Sequence, residues 1–330
     1  MAKTRRKKIV QKKKKKKSNF LPMLFSIVIL IGIIFGVQVS NNGGGLKGIV
    51  ATLLGQSKST LDSLETKYVL LLGISKDINV NLTDTIMVAA YNPNMQKATI
   101  MSISRDTFVG SSEESAKATD KLNSIYSQSG VDGILKRVNK ITGLDIEDYV
   151  IVNNNAVVEI VDAIGGVEFD VPIDMKYDDP TQDLHIELSK GLQKIDGKKA
   201  EWLLRFRHNN DGTSYPASYG DNDTGRMRTQ REFIKEVVKQ TIDVKNVFNI
   251  KGLINTIYKN IETSMDRQEI FAYISCVAEF KVDNLKSYAF PTESKKCNGL
   301  WFEIYDKTSV KNQVSEMEKF LHTSTNENDI

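Results

Sequence analysis

Apolar residues run without a charged side chain from Phe20 to Val39, a segment dominated by Leu, Ile, Val and Phe. About twenty apolar residues span the hydrocarbon core of a bilayer as an α-helix, so this pattern predicts a single transmembrane helix over residues 20–39. A cleaved signal peptide is the competing interpretation. It fits less well, because its apolar stretch is usually about 7–15 residues long and ends in a small-residue cleavage site.

The next apolar positions recur every three or four residues. Leu46, Ile49, Val50, Leu53 and Leu54 fall on one face of a helix at this spacing. The pattern predicts a stem over residues 40–66 that contains an amphipathic helix. This helix either lies on the membrane or packs on the domain that follows.

From Lys67 onward, short apolar runs alternate with segments of helical periodicity. Strands are predicted at Tyr68–Leu72, Thr85–Tyr91, Ala98–Ile103, Asp148–Val152, Val167–Val171 and Leu203–Arg207. Helices are predicted at Val131–Thr142, Ala156–Ile164, Lys198–Glu201 and Thr229–Val244, followed by one further helix and two strands to about residue 305, then a polar end. The alternation predicts one α/β domain over residues 67–325 with helices on both faces of its sheet, and a mobile end at 326–330.

Charge is distributed very unevenly along the chain. Residues 1–17 hold 11 of the 45 Lys and Arg residues and no acidic residue, which leaves 34 basic against 41 acidic residues in the remainder. Residues 18–330 are therefore acidic as a whole, which argues against nucleic acid as a partner. A basic tail over residues 1–19, before an apolar span, predicts a cytoplasmic N-terminus, an extracellular domain and contact of the tail with anionic lipid of the bilayer.

The two cysteines, Cys276 and Cys297, fall in the part predicted to be exported, where a disulfide is chemically permitted. Cys276 lies in an apolar run and is predicted to be a core thiol. The histidines are scattered, and the chain has no His/Cys cluster of zinc-site spacing.

Four polar clusters lie at the ends of predicted elements, where functional sites are usually built. They are Leu82–Thr85, Ser102–Thr107, Leu204–Arg207 and Asp223–Arg231. In a strand over 203–207, Arg205 and Arg207 would share one face. In the last cluster Thr224 is a candidate N-cap, and Arg226 shares a helix face with Gln230.

Arginines on a strand face and at a helix start are typical of a phosphate or pyrophosphate site, because guanidinium groups bind such oxyanions bidentately. The alternative is that these arginines are solvated or pair with nearby acids. The chain lacks a Gly-x-Ser-x-Gly elbow, an HExxH motif and a Walker loop, which argues against serine hydrolysis and nucleoside-triphosphate chemistry. The polar loop 208–222 is either a binding loop or a flexible insertion.

These segments resemble the LytR-CpsA-Psr proteins of Gram-positive cell walls. The motifs that carry the resemblance are Leu70–Gly73, Thr83–Val88, Asn92-Pro93, Ser102–Thr107, Lys121–Asn123, Val161–Val167, Arg205–Arg207, and Asp223–Arg226 with Gln230. Their order and approximate spacing also match, as does the predicted topology of a short tail, one membrane helix and an external domain. The resemblance implies an αβα domain built on a central mixed sheet.

The resemblance also implies a function. Family members transfer a glycopolymer, such as teichoic acid or capsular polysaccharide, from an undecaprenyl-pyrophosphate carrier to peptidoglycan, and the bond formed is a phosphodiester. A divalent ion, Mg²⁺ or Mn²⁺, and several arginines hold the pyrophosphate, while the polyprenyl tail lies in an apolar tunnel. The predicted partners are thus the polyprenyl-linked glycopolymer, peptidoglycan and the lipid bilayer.

Matched to the family motifs, six residues are expected to bind the pyrophosphate: Arg105, Lys121, Arg205, Arg207, Arg226 and Gln230. Arg105 is also expected to be catalytic. Asp223 is the candidate general base, or else a residue that orients Arg226. Asp84 matches a metal-binding aspartate.

Three positions depart from the family pattern. Ser75 replaces a second metal-binding aspartate, with Asp77 as the nearest substitute, Leu82 replaces an arginine, and Ser104 replaces a proline. With this donor set, a hard divalent ion would be held by Asp84 and Asp77, together with phosphate oxygens and water. Two alternatives therefore remain open beside the transferase, namely a lipid-pyrophosphate hydrolase on the same site and a non-catalytic envelope-binding or regulatory protein.

Overall fold

The computed structural model describes residues 20–77, 80–241 and 249–324, without the side chains of residues 20–29, 75–77 and 80–81. Its strands are β1 (Lys67–Asp77), β2 (Val80–Asn92), β3 (Lys97–Ile103), β4 (Asp148–Asn153), β5 (Val167–Val171), β6 (Met175–Asp179), β7 (Leu184–Leu188), β8 (Gly191–Ile195), β9 (Glu262–Thr263), β10 (Leu285–Ala289), β11 (Glu293–Cys297) and β12 (Leu300–Ile304). Its α-helices are α1 (Phe20–Asn41), α2 (Gly45–Leu54), α3 (Lys58–Asp62), α4 (Leu122–Thr142), α5 (Asn154–Ile164), α6 (Gly197–Arg205), α7 (Asn222–Thr241), α8 (Ile250–Asn260), α9 (Arg267–Val277) and α10 (Lys307–His322).

Within the described residues, a six-stranded mixed sheet has the order β10-β3-β2-β1-β4-β9. β1 pairs parallel with β4 and antiparallel with β2, and β3 pairs parallel with β10. The strands β1, β3, β4 and β10 therefore run in the same direction, and their carboxyl ends meet at one edge of the sheet. Side chains that follow these strands are brought close together at that edge.

Helices cover both faces of the sheet, because its central strands are apolar on both sides. Leu70, Leu72 and Ile86 face α4 and α10 in the main core. Leu71 and Met87, which alternate with them, face α7 and α9. The predicted αβα arrangement is confirmed.

A second, smaller core lies beside the sheet. The two-stranded sheets β5–β8 and β6–β7 pack with α5, α6 and α7 around Phe169, Leu203, Phe206 and Phe233. This unit holds α6 and α7, which carry several of the predicted site residues.

The stem packs on the domain, which decides between the two alternatives for its amphipathic face. Val50 and Leu54 of α2 are buried against Ile254 of α8 and Phe271 of α9. The helical stretch is interrupted after Leu54, where Gly55 adopts a left-handed conformation, and α3 follows. Cys276 is fully buried against this stem, which confirms it as a core thiol, and Cys297 is buried and free.

Residues 20–41 form the helix α1. Among the residues whose side chains are described, no helix is both long enough and apolar enough to cross a bilayer. The predicted basic tail, residues 1–19, lies outside the described residues, as does the predicted mobile end at 326–330.

Three predictions of secondary structure are wrong. Between residue 249 and about residue 305 the chain forms two α-helices, α8 and α9, and four strands, β9 to β12, instead of one helix and two strands. Residues 203–207 do not form a strand, because α6 begins at the Asp196 cap, buries Ala200 and Leu203 on one face, and ends at Arg205. Residues 307–322 are not simply a polar end. They form α10, whose Val310, Val314, Met317 and Leu321 complete the main core.

Candidate functional site

A cavity of about 820 Å³ lies between the sheet, α6 and α7, beside residues 71–74 of β1 and the end of β3, which leads into Arg105. Its apolar wall includes Leu71 and Met87 from the sheet and Ile234 from α7. Its polar wall contains six of the predicted site residues, which are Asp84, Arg105, Arg205, Arg207, Arg226 and Gln230. The cavity thus joins an apolar region to a cluster of cations.

A β-bulge directs Asp84 toward this cavity. In the β1–β2 ladder Gly73 lies opposite Thr85, and Ile74 lies opposite Thr83, so Asp84 is the extra residue. Bulges bend a strand and reorient the side chain at that point, and they recur next to functional sites. The carboxylate of Asp84 accepts a hydrogen bond from Arg105 Nη1, directly beyond β3.

Arg105, Arg207 and Arg226 converge on the two carboxylates Asp84 and Asp223. Arg207 bridges these acids, with its Nε 3.1 Å from Asp223 Oδ1 and its Nη2 4.0 Å from Asp84 Oδ1. Arg226 binds Asp223 Oδ1 through Nε at 3.0 Å and Nη2 at 2.8 Å. Residues from β2, the β3–α4 connection, the segment after α6 and the first turn of α7 therefore form one charged cluster.

Arg226 is the most deeply buried of these arginines, with 4% of its side chain exposed. Its Nη2 also donates to the backbone carbonyl of Asp84 at 3.0 Å, which ties α7 to the bulge in β2. Gly225 allows the start of α7 to pack closely against Gly220 and Tyr215. A Cβ at Gly225 would lie 2.2 Å from the Gly220 carbonyl oxygen and 2.3 Å from Tyr215, so only glycine allows this approach.

In this cluster the three arginines share the two carboxylates of Asp84 and Asp223, so this end of the cavity attracts anions. Burial, together with the nearby charges of Arg226 and Arg105, lowers the pKa of Arg207 to about 10. At Arg105 burial also disfavours the charge, but attraction from Asp84, Asp223 and Asp106 outweighs it and raises the pKa. Both guanidinium groups remain charged at neutral pH, and an added anion would relieve the repulsion felt by Arg207.

Arg205 and Gln230 line the same cavity outside the central cluster. Because Arg205 is the last residue of a helix rather than part of a strand, it does not share a strand face with Arg207. It pairs with Glu201 at 2.9 Å and donates to Gln182 Oε1 at 3.0 Å. Gln230 Nε2 donates to the Leu204 carbonyl at 2.9 Å.

Two polar atoms beside the cavity lack a hydrogen-bond partner within the described part of the chain. They are Arg105 Nε and Gln230 Oε1, and both are buried. Buried polar atoms are normally hydrogen-bonded, so water or a ligand in the cavity is expected to bind these two atoms. Gln230 lies one helical turn after Arg226, as predicted, whereas Thr224 is the third residue of α7 and not its N-cap.

Lys121 lies apart from the cavity. Its Nζ is 2.8 Å from Asp106 Oδ1 and 5.5 Å from the centre of the Phe302 ring. Asp106 in turn lies beside Arg105, with 3.9 Å between Asp106 Oδ2 and Arg105 Nε. The structure therefore places Lys121 behind Arg105, as part of the ionic network that supports it.

The described residues do not form a metal site on their own. No group of three or more His, Cys, Asp or Glu side chains in them has a suitable arrangement, and the Asp84 carboxylate is engaged by Arg105. The side chain of Asp77 lies outside the described residues. Asp77 lies three residues beyond Ile74 on β1, where its backbone pairs with Val80. It is therefore about 10 Å along the strand from the bulge. The Mg²⁺ or Mn²⁺ site stays a prediction.

Glu201 is a cavity residue that sequence reasoning missed. Its side chain is 11% exposed and pairs with both Arg205 and Lys198. The signal in the sequence is the spacing of Glu201 and Arg205, four residues apart, which pairs them on a helix but not on a strand. Assigning a strand to this segment hid the pair.

The model of the LytR-CpsA-Psr family matches residues 47–319. The chain belongs to this family. The matched range includes the stem helices, the sheet and the charged cluster, so membership covers the whole of the site described above. The predicted family membership is confirmed.

Among the relatives, a teichoic acid transferase TagU of Enterococcus faecalis, named for transfer from polyisoprenyl-teichoic acid to peptidoglycan, is 25% identical over 276 residues, covering 81% of this chain and 84% of the relative. Biofilm regulatory protein A of Streptococcus mutans is 29% identical over 192 residues. That match covers 56% of this chain and only 45% of the streptococcal protein.

A solved family structure shares the fold. The crystal structure of TagV from Bacillus subtilis superposes with a TM-score of 0.65 at 20% sequence identity, covering 79% of this chain and 99% of TagV. This likeness concerns the fold alone.

Proposed function

We propose that this LytR-CpsA-Psr protein transfers a cell-wall glycopolymer, of the teichoic acid or capsular polysaccharide class, from a polyprenyl-pyrophosphate carrier to peptidoglycan. The observation that carries the proposal is the convergence of Arg105, Arg207 and Arg226 at one end of an apolar cavity. The printed name of the enterococcal relative, a teichoic acid transferase acting on peptidoglycan, supports the same assignment.

The two ends of the cavity suit the two parts of the carrier. Guanidinium groups can hold the pyrophosphate oxygens bidentately, and Arg207 gains most because its neighbours are cations. The polyprenyl chain would lie along Leu71, Met87 and Ile234. Leu71 precedes Gly73 on β1, so this apolar wall extends from the charged cluster toward the amino end of the strand.

In the proposed reaction, a peptidoglycan hydroxyl oxygen attacks the phosphorus that bears the glycopolymer. A new P–O bond forms, the P–O bond to the bridging oxygen breaks, and polyprenyl phosphate leaves with that oxygen and its electron pair. The hydroxyl proton passes to a general base or to solvent water. Negative charge grows on the leaving phosphate as the bond breaks. Arginines fixed in place stabilise that charge without reorganising, which is the main form of catalysis in phosphoryl transfer.

Asp223 can act in this reaction in two ways. As a general base it would take the proton of the attacking hydroxyl. As an orienting group it would only hold Arg207 and Arg226, to which its Oδ1 is bound at 3.1 Å and 2.8 Å. The contacts with Arg207 and Arg226 support the second role, because they immobilise two cations of the site.

Asp223→Asn separates these roles. The amide keeps an oxygen that accepts from Arg207 and Arg226 but cannot take a proton. If Asp223 orients the arginines, transfer falls by about tenfold or less across the pH range. If it is the base, the loss should be about 10²–10⁴-fold and should flatten the dependence of kcat on pH. Arg226→Ala measured in the same assay shows the cost of losing the oriented group itself.

The proposed location is the cell membrane, with the N-terminus in the cytoplasm and the catalytic domain outside. This rests on the lysine-rich residues 3–17 and the uncharged run from Phe20 to Val39. Protease added to intact protoplasts is expected to degrade the domain and leave a tag at the N-terminus protected. A mature protein that begins after residue 40 would contradict the anchor.

Transfer is tested by incubating the purified protein with lipid-linked glycopolymer, peptidoglycan and Mg²⁺. The peptidoglycan is then digested with a muramidase, and the fragments are analysed by mass spectrometry for sugars joined to the polymer through a phosphodiester. Joined fragments are expected. Release of free glycopolymer phosphate without joined fragments would instead support a lipid-pyrophosphate hydrolase.

A further inference from the structure

The β11–β12 hairpin carries the most exposed aromatic side chain that the structure describes near the charged cluster. Trp301 is 64% exposed, and Leu300 beside it is 38% exposed. In contrast, the other side of the hairpin is buried, with Phe302 1% and Cys297 4% exposed. Alternation along β12 places Trp301 on the outward face, opposite Lys296 in the antiparallel register.

This hairpin is fixed directly to the segment that carries Arg105. Glu303 N donates to the Asp106 carbonyl at 3.0 Å, and Phe108 N donates to the Glu303 carbonyl at 2.9 Å. The rings of Phe108 and Phe302 meet edge to face at 5.3 Å. The backbone path from Trp301 through Glu303 and Asp106 to Arg105 spans at most about 16 Å between Cα atoms.

The outward face has the composition of a carbohydrate-binding surface. Glu303 lies on the same face as Trp301, and its carboxylate accepts hydrogen bonds from Thr292 Oγ1, at 2.8 Å, and from Ser294 Oγ. Lys296 is exposed beside the indole. A flat ring offers its face to the C–H side of a sugar, and the surrounding hydroxyl, carboxylate and ammonium groups can bind sugar hydroxyls.

An exposed tryptophan beside a lysine could contact either of two partners. One is a membrane interface, and the other is a glycan. The position of the stem favours the glycan. The stem packs near Tyr91, at the amino end of β1, whereas the hairpin joins the carboxyl edge of the sheet. These edges are separated by the length of β1 from Lys67 to Gly73, which is roughly 20 Å. If the stem leads to the bilayer, the hairpin faces away from it.

We propose that the outward face of the β11–β12 hairpin binds the acceptor, a peptidoglycan glycan strand, with one sugar ring stacked on Trp301. The strand would then pass beside Arg105 and present a hydroxyl to the bound pyrophosphate. This inference rests on the proposed transferase function, because it assigns the acceptor subsite of that reaction.

Tryptophan fluorescence of the full-length protein in detergent tests the proposal directly. The chain has two tryptophans, so Trp202→Phe leaves Trp301 as the single reporter. Soluble, uncross-linked peptidoglycan strands are expected to shift and intensify its emission as they bind. Because substitution of Trp301 removes the reporter, binding by the Trp301 variants is measured by isothermal titration calorimetry, and Trp301→Ala should weaken binding of the strands by about tenfold or more, as truncation of a central aromatic contact does. Trp301→Phe should recover most of the affinity.

Leu192→Ala is the matched control, since Leu192 is 74% exposed on β8 and its loss should not alter strand binding.

In the transfer assay, Trp301→Ala should raise the KM for peptidoglycan and leave the KM for the lipid-linked donor unchanged. If transfer proceeds but Trp301→Ala alters neither strand binding nor this KM, the acceptor surface is wrong while the transferase stands. If strands bind through Trp301 but no polymer is joined, the surface stands and the transferase is wrong. A fluorescence response to mixed micelles that contain phosphatidylglycerol, with none to strands, would identify a membrane contact and overturn the proposal.

Discussion

Arg105→Ala is expected to reduce transfer by at least about 10²–10³-fold, because removal of one preorganised charge donor in a phosphoryl or acyl transfer site costs roughly this much. Arg105 directly follows β3 and is held by Asp84, with Asp106 at 3.9 Å, so its guanidinium is aimed before substrate binds. Its buried Nε has no hydrogen-bond partner among the described residues and is free to meet a phosphate oxygen. The loss should appear in kcat at saturating donor.

Arg105→Lys is the control for charge alone. A lysine keeps the positive charge but replaces the planar fork by a single ammonium group, so it should restore transfer poorly. Circular dichroism and thermal unfolding should show both variants folded, because Arg105 is partly exposed at the cavity wall. Near-normal transfer by Arg105→Ala would contradict a catalytic role for this residue.

Arg226→Ala is expected to affect both stability and activity. The side chain is 4% exposed, and its removal deprives the Asp84 carbonyl of a donor and Asp223 of its closest cation. Loss of one partner of a buried, hydrogen-bonded charge pair costs several kcal/mol. Because Asp223 keeps Arg207 and partial exposure to water, a loss of about 2–3 kcal/mol in the free energy of unfolding is expected. Urea denaturation measures it.

Arg228→Ala provides the comparison for Arg226. Arg228 is on the same helix two residues later, where its guanidinium carbon lies 4.3 Å from the centre of the Tyr219 ring, away from the charged cluster. Its removal should cost less than about 1 kcal/mol and leave transfer within a few-fold of the unsubstituted protein. Equal losses for both variants would contradict a specific role for the contacts of Arg226 with Asp223 and the Asp84 carbonyl.

Much of the sheet could be predicted from the sequence, because its central strands are continuous apolar runs. The segments around Leu70, Met87 and Met101 are buried on both faces, and such runs are typical of central strands. Residues 203–207 misled the prediction, since a short apolar-polar alternation also fits the end of an amphipathic helix. The helix α10 was missed although Val310, Val314, Met317 and Leu321 are spaced for one buried face.

The composition of the site was easier to predict than its geometry. Arginines at element ends indicated an anion site, and Arg105, Arg207 and Arg226 do converge. The bulge that directs Asp84 depends on the pairing of β1 with β2, which no local pattern specifies. The Arg226 contact with the Asp84 carbonyl joins residues 142 positions apart, and the hairpin beside Arg105 is likewise a product of tertiary packing.

The stoichiometry of the reaction tests the central claim most directly. Polyprenyl phosphate released and glycopolymer chains joined to peptidoglycan are counted over one time course, with radiolabelled donor and peptidoglycan in excess. Transfer through the charged cluster predicts one polyprenyl phosphate for each chain joined, and loss of both products together in Arg105→Ala. Release of polyprenyl phosphate without joined chains, or joining that persists unchanged in Arg105→Ala, would contradict the account.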